Sequence, residues 1–185
     1  MSGPAPLVFP LASLLAEPAG AERRYDIHGA TIRLADDLRQ TEPIEGQLKV
    51  DRTNRGVFVD AELQTAIAGS CARCLRDIEI PLEVEIHEEV LPSVDLTTGR
   101  AIDPSAEPEV ARLTDHHELD LATLAAEAIS LAEPIAPLCE DDCPGLCPTC
   151  GERLGPDHVE HEDVDIDPRL AALRGFRVDG EGENE

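Results

Sequence analysis

Two stretches of the chain alternate apolar and polar residues at every second position. In "VFVDAELQTAI", Val57, Val59, Ala61, Leu63 and Ile67 fall on one side, with Asp60, Glu62 and Gln64 on the other. In "IEIPLEVEI", Ile78, Ile80, Leu82, Val84 and Ile86 oppose Glu79, Glu83 and Glu85. A period of two with one apolar face predicts half-buried strands of an antiparallel sheet. Pro81 has no N–H to give a ladder, which predicts an edge position or a bulge. Two weaker strands come earlier: "YDIHGATIRL", with Ala30, Ile32 and Leu34 on one side, and "IEGQLKV". The second runs into "DRTNRG", where Asn54, Arg55 and Gly56 suit a turn. Tyr25 to about Val90 thus reads as a four-strand antiparallel meander.

The alternation then stops. Residues 92–118 are acidic, proline-bearing and aperiodic, and read as an exposed, mobile loop. "DLATLAAEAISLAEP" turns helical, with Leu121, Leu124, Ala128 and Leu131 on one face, Asp120 as N-cap and Pro134 as terminator. This helix is the natural cover for the sheet. Leu11–Ala16 predicts a short packed helix, and "DPRLAALRGF" another near the end. The expected fold class is α+β: an antiparallel β-meander of about four strands covered by a helix, with a cysteine-rich, zinc-binding C-terminal segment. Residues 1–134 hold the sheet, helix and loop. Residues 135–176 hold the cysteine cluster and the last helix, packed on the same domain. Residues 177–185 form a disordered tail.

Composition sharpens this. Tyr25, Phe9, Phe58 and Phe176 are the only aromatic residues, so the core must be aliphatic. The formal charge is −24, unevenly spread. Residues 22–76 carry nine basic and nine acidic side chains, whereas residues 77–185 carry six basic and twenty-nine acidic ones. The acidic part should repel phosphate and attract basic proteins, so DNA is not an expected partner. Any RNA contact is expected from the front half, through Arg23, Arg24, Arg33, Lys49, Arg52, Arg55, Arg73 and Arg76. No apolar stretch approaches the roughly 18–20 residues a membrane helix needs. The expected location is the cytoplasm, where clustered thiols stay reduced and favour metal over disulfides.

Four of the six cysteines lie in "CEDDCPGLCPTCG", as Cys139, Cys143, Cys147 and Cys150. Cys71 and Cys74 lie in "SCARCL", at the tip of the hairpin between the two best strands. Short C-x-x-C pairs are the usual way to present thiolates to tetrahedral zinc. Three pairings are open. Cys71 and Cys74 could join Cys147 and Cys150 on one ion. The four C-terminal cysteines could close a local site. Or two ions could bind, one on Cys71, Cys74, Cys139 and Cys143, the other on Cys147, Cys150, His158 and His161. His158 and His161 otherwise read as solvated loop histidines, as do His116 and His117, while His28 and His87 read as strand positions.

Reactive thiols want positive surroundings, and Glu140, Asp141 and Asp142 oppose this around Cys139 and Cys143. The flanks of Cys71 and Cys74 are antiparallel strands, not a βαβ unit. No nucleophile elbow, phosphate loop or H-E-x-x-H motif occurs. A structural zinc and no enzymatic activity are therefore expected.

The order of parts, with "CARCL" at 71–75, "LAEP" at 131–134 and "GLCPTCG" at 145–151, resembles the YceD family of large ribosomal RNA subunit accumulation proteins. The resemblance runs from about Leu7 to Phe176. It implies a non-enzymatic factor supporting synthesis, processing or stability of large-subunit (23S) ribosomal RNA in ribosome assembly. It also implies that the six cysteines occupy family positions. Some relatives carry further cysteines after the cluster, where this chain has His158 and His161. Others lack most of the cluster, so metal need not be the shared activity. The partner so implied is large-subunit rRNA or its precursor; the charge of the acidic part adds a basic ribosomal protein as a second expected partner. The alternative is a zinc-stabilised protein–protein adaptor with no ribosomal role.

Overall fold

The computed structural model describes residues 7–35, 38–159, 161 and 169–170. In chain order its elements are β1 (Val8–Pro10), α1 (Ala12–Leu15), β2 (Glu22–Ala30), β3 (Gln40–Arg52), β4 (Val57–Ser70), β5 (Asp77–Val90), β6 (Glu118–Asp120) and α2 (Leu121–Ala132). Strands β2, β3, β4 and β5 form one antiparallel sheet in that order. The meander read from the sequence is therefore present, with β5 at an edge.

The clean alternation of β4 and β5 has a simple consequence. They pair without a shift from Val57↔Val90 to Ser70↔Asp77. Their apolar residues, from Val57 to Ile67 and from Ile80 to Ile86, are buried on one face. Asp60, Glu62, Gln64, Glu83 and Glu85 share the other. Pro81 sits within this unbroken edge strand, where a missing N–H costs no ladder bond.

The weaker strands depart from the pattern. β2 ends at Ala30 and does not continue through Ile32 and Leu34. Ile27 and Ala30, three residues apart, are both buried because the register shifts between them, at Gly29 with φ +68°. The Gln40 side chain replaces the lost ladder: it accepts from Ile32 N–H at 3.0 Å and donates to Ala30 C=O at 3.2 Å and Glu42 C=O at 2.7 Å. In β3, a Cβ on Gly46 would stand 2.1 Å from the Glu62 carbonyl oxygen. Only glycine lets these strands approach so closely.

One face of the sheet is covered by α1, α2 and the segments beside them. Leu11, Leu14, Leu121, Ala125 and Ile129 are fully buried there. The Asp120 carboxylate caps α2, accepting from Ala122 N–H at 3.1 Å and from the Thr123 hydroxyl at 3.0 Å. The helix stops at Ala132, just ahead of Pro134. Its buried seam is Leu121, Ala125 and Ile129, with Leu124 beside it, not the expected face through Leu131, which is 88% exposed. The i, i+4 row wins over the i, i+3 row, and Leu131 is left on the flank.

The pairing of β1 with β6 is not visible in the sequence pattern, since each strand has only three residues. It ties residues near the start of the chain to the helix start, with Leu121 N–H on Leu7 C=O and Leu11 N–H on His117 C=O, both 2.9 Å. His117 is half-buried, not fully solvated: its Nδ1 is buried without a partner among the described residues. The 92–118 loop is largely exposed, as expected, but anchored. Leu91 donates its N–H to Ala111 C=O and accepts from Leu113 N–H, both at 2.9 Å, and Leu91 and Leu113 are buried. The predicted last helix and tail lie outside the described residues except for 169–170.

Candidate metal centre

The β4–β5 hairpin delivers Cys71 and Cys74 at its tip. Cys71 N–H bonds Arg76 C=O at 2.8 Å, and Leu75 N–H bonds Cys71 C=O at 3.0 Å. The same figure recurs downstream. Cys147 N–H bonds Glu152 C=O at 2.7 Å, and Gly151 N–H bonds Cys147 C=O at 2.9 Å. In each knuckle the residue after the second cysteine has positive φ, +56° at Leu75 and +75° at Gly151. Two C-x-x-C turns of one geometry thus stand in one chain, although only the second places a glycine at the positive-φ position.

The knuckles do not share a site. The Cys71 and Cys143 sulfurs lie 3.7 Å apart, and those of Cys74 and Cys139 3.6 Å. All four sulfurs fall within 4.8 Å of one another. A zinc tetrahedron with Zn–S bonds of about 2.3 Å has edges of about 3.8 Å, so these thiols already stand at ligand spacing. Cys147, Cys150, His158 and His161 form a second group within 4.8 Å. There Cys150 Sγ and His158 Nε2 are 3.4 Å apart, near the roughly 3.6 Å of a mixed sulfur–nitrogen edge. The structure thus brings together the sets of the two-ion pairing, and it does not bring Cys71 and Cys74 into one group with Cys147 and Cys150. His158 and His161 stand beside thiols, with ring centroids 5.2 Å apart.

The two groups differ in burial. Cys71, Cys74 and Cys143 are buried and Cys139 half-buried, whereas Cys150 and His161 are exposed. All six cysteines are free thiols. The Cys74 backbone N–H, helped by those of Cys139 and Arg73, holds the Cys71 thiol down at about 6 against its burial. Burial pushes the Cys139 thiol up to about 12 and raises Cys143 as well. In the second group the Cys150 backbone N–H, with that of Thr149, lowers Cys147. Cys71 and Cys147 are thus the more readily ionised thiols, and Cys139, Cys143 and Cys150 the less readily ionised ones. A bound dication would supply positive charge that favours the thiolate form of Cys139, Cys143 and Cys150. Donor spacing and donor chemistry are compatible with a tetrahedral metal ion such as zinc, which four sulfurs would hold in the first group and two sulfurs and two nitrogens in the second. Such closed shells offer no open coordination position.

Side chains around the clusters lock the C-terminal segment to the hairpin. Arg73 Nη1 donates to Cys143 C=O at 3.0 Å, Arg153 Nε donates to Cys74 C=O at 3.0 Å, and Ala72 N–H bonds Pro137 C=O at 2.8 Å. The sequence gives no sign of Arg153, because its partner is a backbone carbonyl 79 residues away.

The expected contact cations are mostly engaged within the molecule. Arg23 pairs with Glu17, and Arg24 with Glu22 at 3.2 Å. Lys49 pairs with Asp51 at 2.7 Å, and Arg55 with Glu107 at 2.5 Å. Arg52 holds the β3–β4 turn by donating to Gly56 C=O at 2.8 Å. The Arg33 and Arg76 side chains make no such bond among the described residues.

No helix among the described residues is long and apolar enough to cross a membrane. No solved structure matches the chain. Proteins of Mycobacterium bovis and Mycobacterium tuberculosis, each named only as an uncharacterized protein, are 30% identical over 171 residues, covering 91% of this chain and 80% of theirs. One from Mycobacterium leprae, named likewise, is 27% identical over 173 residues, covering 91% and 76%. Residues 59–177, which contain all six cysteines, match the family model described as large ribosomal RNA subunit accumulation protein YceD, and the chain belongs to that family.

Proposed function

We propose that this protein is a non-enzymatic factor that supports the accumulation of 23S ribosomal RNA by engaging a basic ribosomal protein during large-subunit assembly. The observation that carries the reading is the family match across both knuckles and the covering helix. Charge supports the protein partner. The outer face of the sheet presents Glu45, Glu62, Glu83 and Glu85 around a shallow depression, a poor surface for phosphate and a good one for lysine and arginine. The internal pairing of Arg23, Arg24, Lys49 and Arg55 further favours a protein over direct RNA contact. Zinc on the two clusters would be structural, the first fixing the hairpin tip to Cys139 and Cys143 and the second closing the segment from Cys147 to His161.

The test is a sucrose-gradient profile of a strain lacking the gene, with large-subunit rRNA ends mapped in each fraction. Depleted large subunits with unprocessed or degraded rRNA are expected. A normal profile with mature rRNA ends would overturn the ribosomal reading and leave the adaptor alternative.

A further inference from the structure

The edge of β5 is open. From Ile78 to Glu89 it forms no backbone bond on its free side among the described residues. Its direction is set by Pro81, whose nitrogen has no hydrogen and lies within an unshifted ladder. That nitrogen therefore faces outward, and so do the backbone N–H and C=O groups of Glu79, Glu83, Glu85 and His87, since alternate residues of a strand point the same way. Side chains of this set lie on the acidic outer face. The inner side of the same edge is largely apolar: a groove of about 510 Å³ runs between residues 83–88 and α2, lined from the helix by Leu124, Ala128 and the exposed Leu131, with Glu127 also on its wall.

We propose that this edge is the binding site for an extended basic segment of a partner protein, which adds to the sheet as a fifth strand. Two independent features specify the sequence it accepts. A strand laid beside β5 presents every second side chain to the outer face, where Glu79, Glu83 and Glu85 select lysine or arginine. The intervening side chains enter the α2 groove, where Leu124, Ala128 and Leu131 select apolar residues. The ligand is thus a strand alternating basic and apolar residues, with main-chain bonds for affinity and the two faces for specificity. A second copy of this chain is a poor occupant, because two β5 edges would set glutamates against glutamates. The same repulsion guards the open edge from self-association until a basic strand arrives. The inference rests on the preceding reading only in taking the partner to be a basic protein.

The experiment uses the full chain and an eleven-residue peptide of alternating lysine and valine, fluorescently labelled. Its comparators are the same peptide N-methylated at alternate backbone nitrogens on the pairing edge, and an eleven-nucleotide polyuridine. Anisotropy should show binding of the parent peptide, and a loss of at least about tenfold on N-methylation, which keeps charge but removes main-chain donors. Glu83→Lys with Glu85→Lys should weaken binding at least about tenfold, while circular dichroism shows the fold intact. Amide exchange should slow at Glu79, Glu83, Glu85 and His87, whereas the amides of Leu82, Val84 and Ile86 are already protected by β4. Equal affinity for the N-methylated peptide, protection elsewhere, no peptide binding, self-association through this edge, or polyuridine competing for it would each overturn the proposal. The gradient profile separates the two readings. Failure of the peptide with a defective deletion strain removes the docking mode alone, and success of the peptide with a normal strain removes the ribosomal role alone.

Discussion

Replacing Cys143 with serine should destabilise the whole domain, whereas replacing Cys150 should not. Cys143 is paired across 72 residues with Cys71, which sits at the tip of the β4–β5 hairpin. Metal on the first group would therefore close a long loop spanning β5, the 92–118 segment and α2. The chain-entropy relation for a cross-link of that length gives about 4 kcal/mol at 25 °C. The second group lies wholly between Cys147 and His161, outside every strand of the sheet. Its loss should loosen only that segment. For a chain of this size, about 4 kcal/mol corresponds to roughly 8–16 °C in Tm. The assay is thermal unfolding followed by far-ultraviolet circular dichroism, with zinc counted in each variant. Cys143→Ser should lose one ion and fall by that amount, and Cys150→Ser should lose one ion and keep the sheet's midpoint within about 2 °C. Equal shifts for the two variants, or no shift on loss of the first ion, would refute the argument that the first site is a long-range clip.

Other expectations can be checked with the same material. Gly46→Ala should cost about 1–3 kcal/mol in denaturant unfolding, since the new Cβ meets the Glu62 carbonyl at 2.1 Å. Asp120→Ala should cost about 1 kcal/mol by removing the cap of α2. Arg153→Ala should leave both ions in place but speed zinc loss from the second group to a chelator, because its bond to Cys74 C=O docks that segment. Glu45 is held below its ordinary value by His28 and the Gly29 N–H. A lowered carboxylate stabilises the folded state above its unfolded pKa and loses that effect as pH falls through the folded value. The stability gap between the parent and Glu45→Gln should therefore narrow from pH 6 towards pH 3, and a constant gap would contradict the assignment.

What the sequence made legible follows from how local each signal is. Val57 to Ile67 and Ile78 to Ile86 alternate without interruption, and these strands are where the pattern put them. Asp120 and Pro134 bound α2 because capping and the pre-proline restriction act within a few residues. The pattern failed where distant contacts decide. Gly29 shifts the parity of β2, so Ile32 and Leu34 do not extend the strand. The seam of α2 depends on how the helix crosses the sheet, which left Leu131 exposed. β1 and β6 are too short to show a period and exist only as each other's partner. The metal centre was legible as residues and not as a partition. Knuckle spacing marked all six cysteines, but three pairings satisfied it equally. Only the position of the hairpin tip against Cys139 and Cys143 separates the two groups.

The most direct test of the account is the metal itself. Native mass spectrometry of the purified chain should show two zinc ions per molecule. Zinc-edge X-ray absorption should give a mean shell of about three sulfurs to one nitrogen, the average of a four-sulfur site and a two-sulfur, two-nitrogen site. A single ion in an all-sulfur shell, or a folded chain that binds no metal, would contradict it.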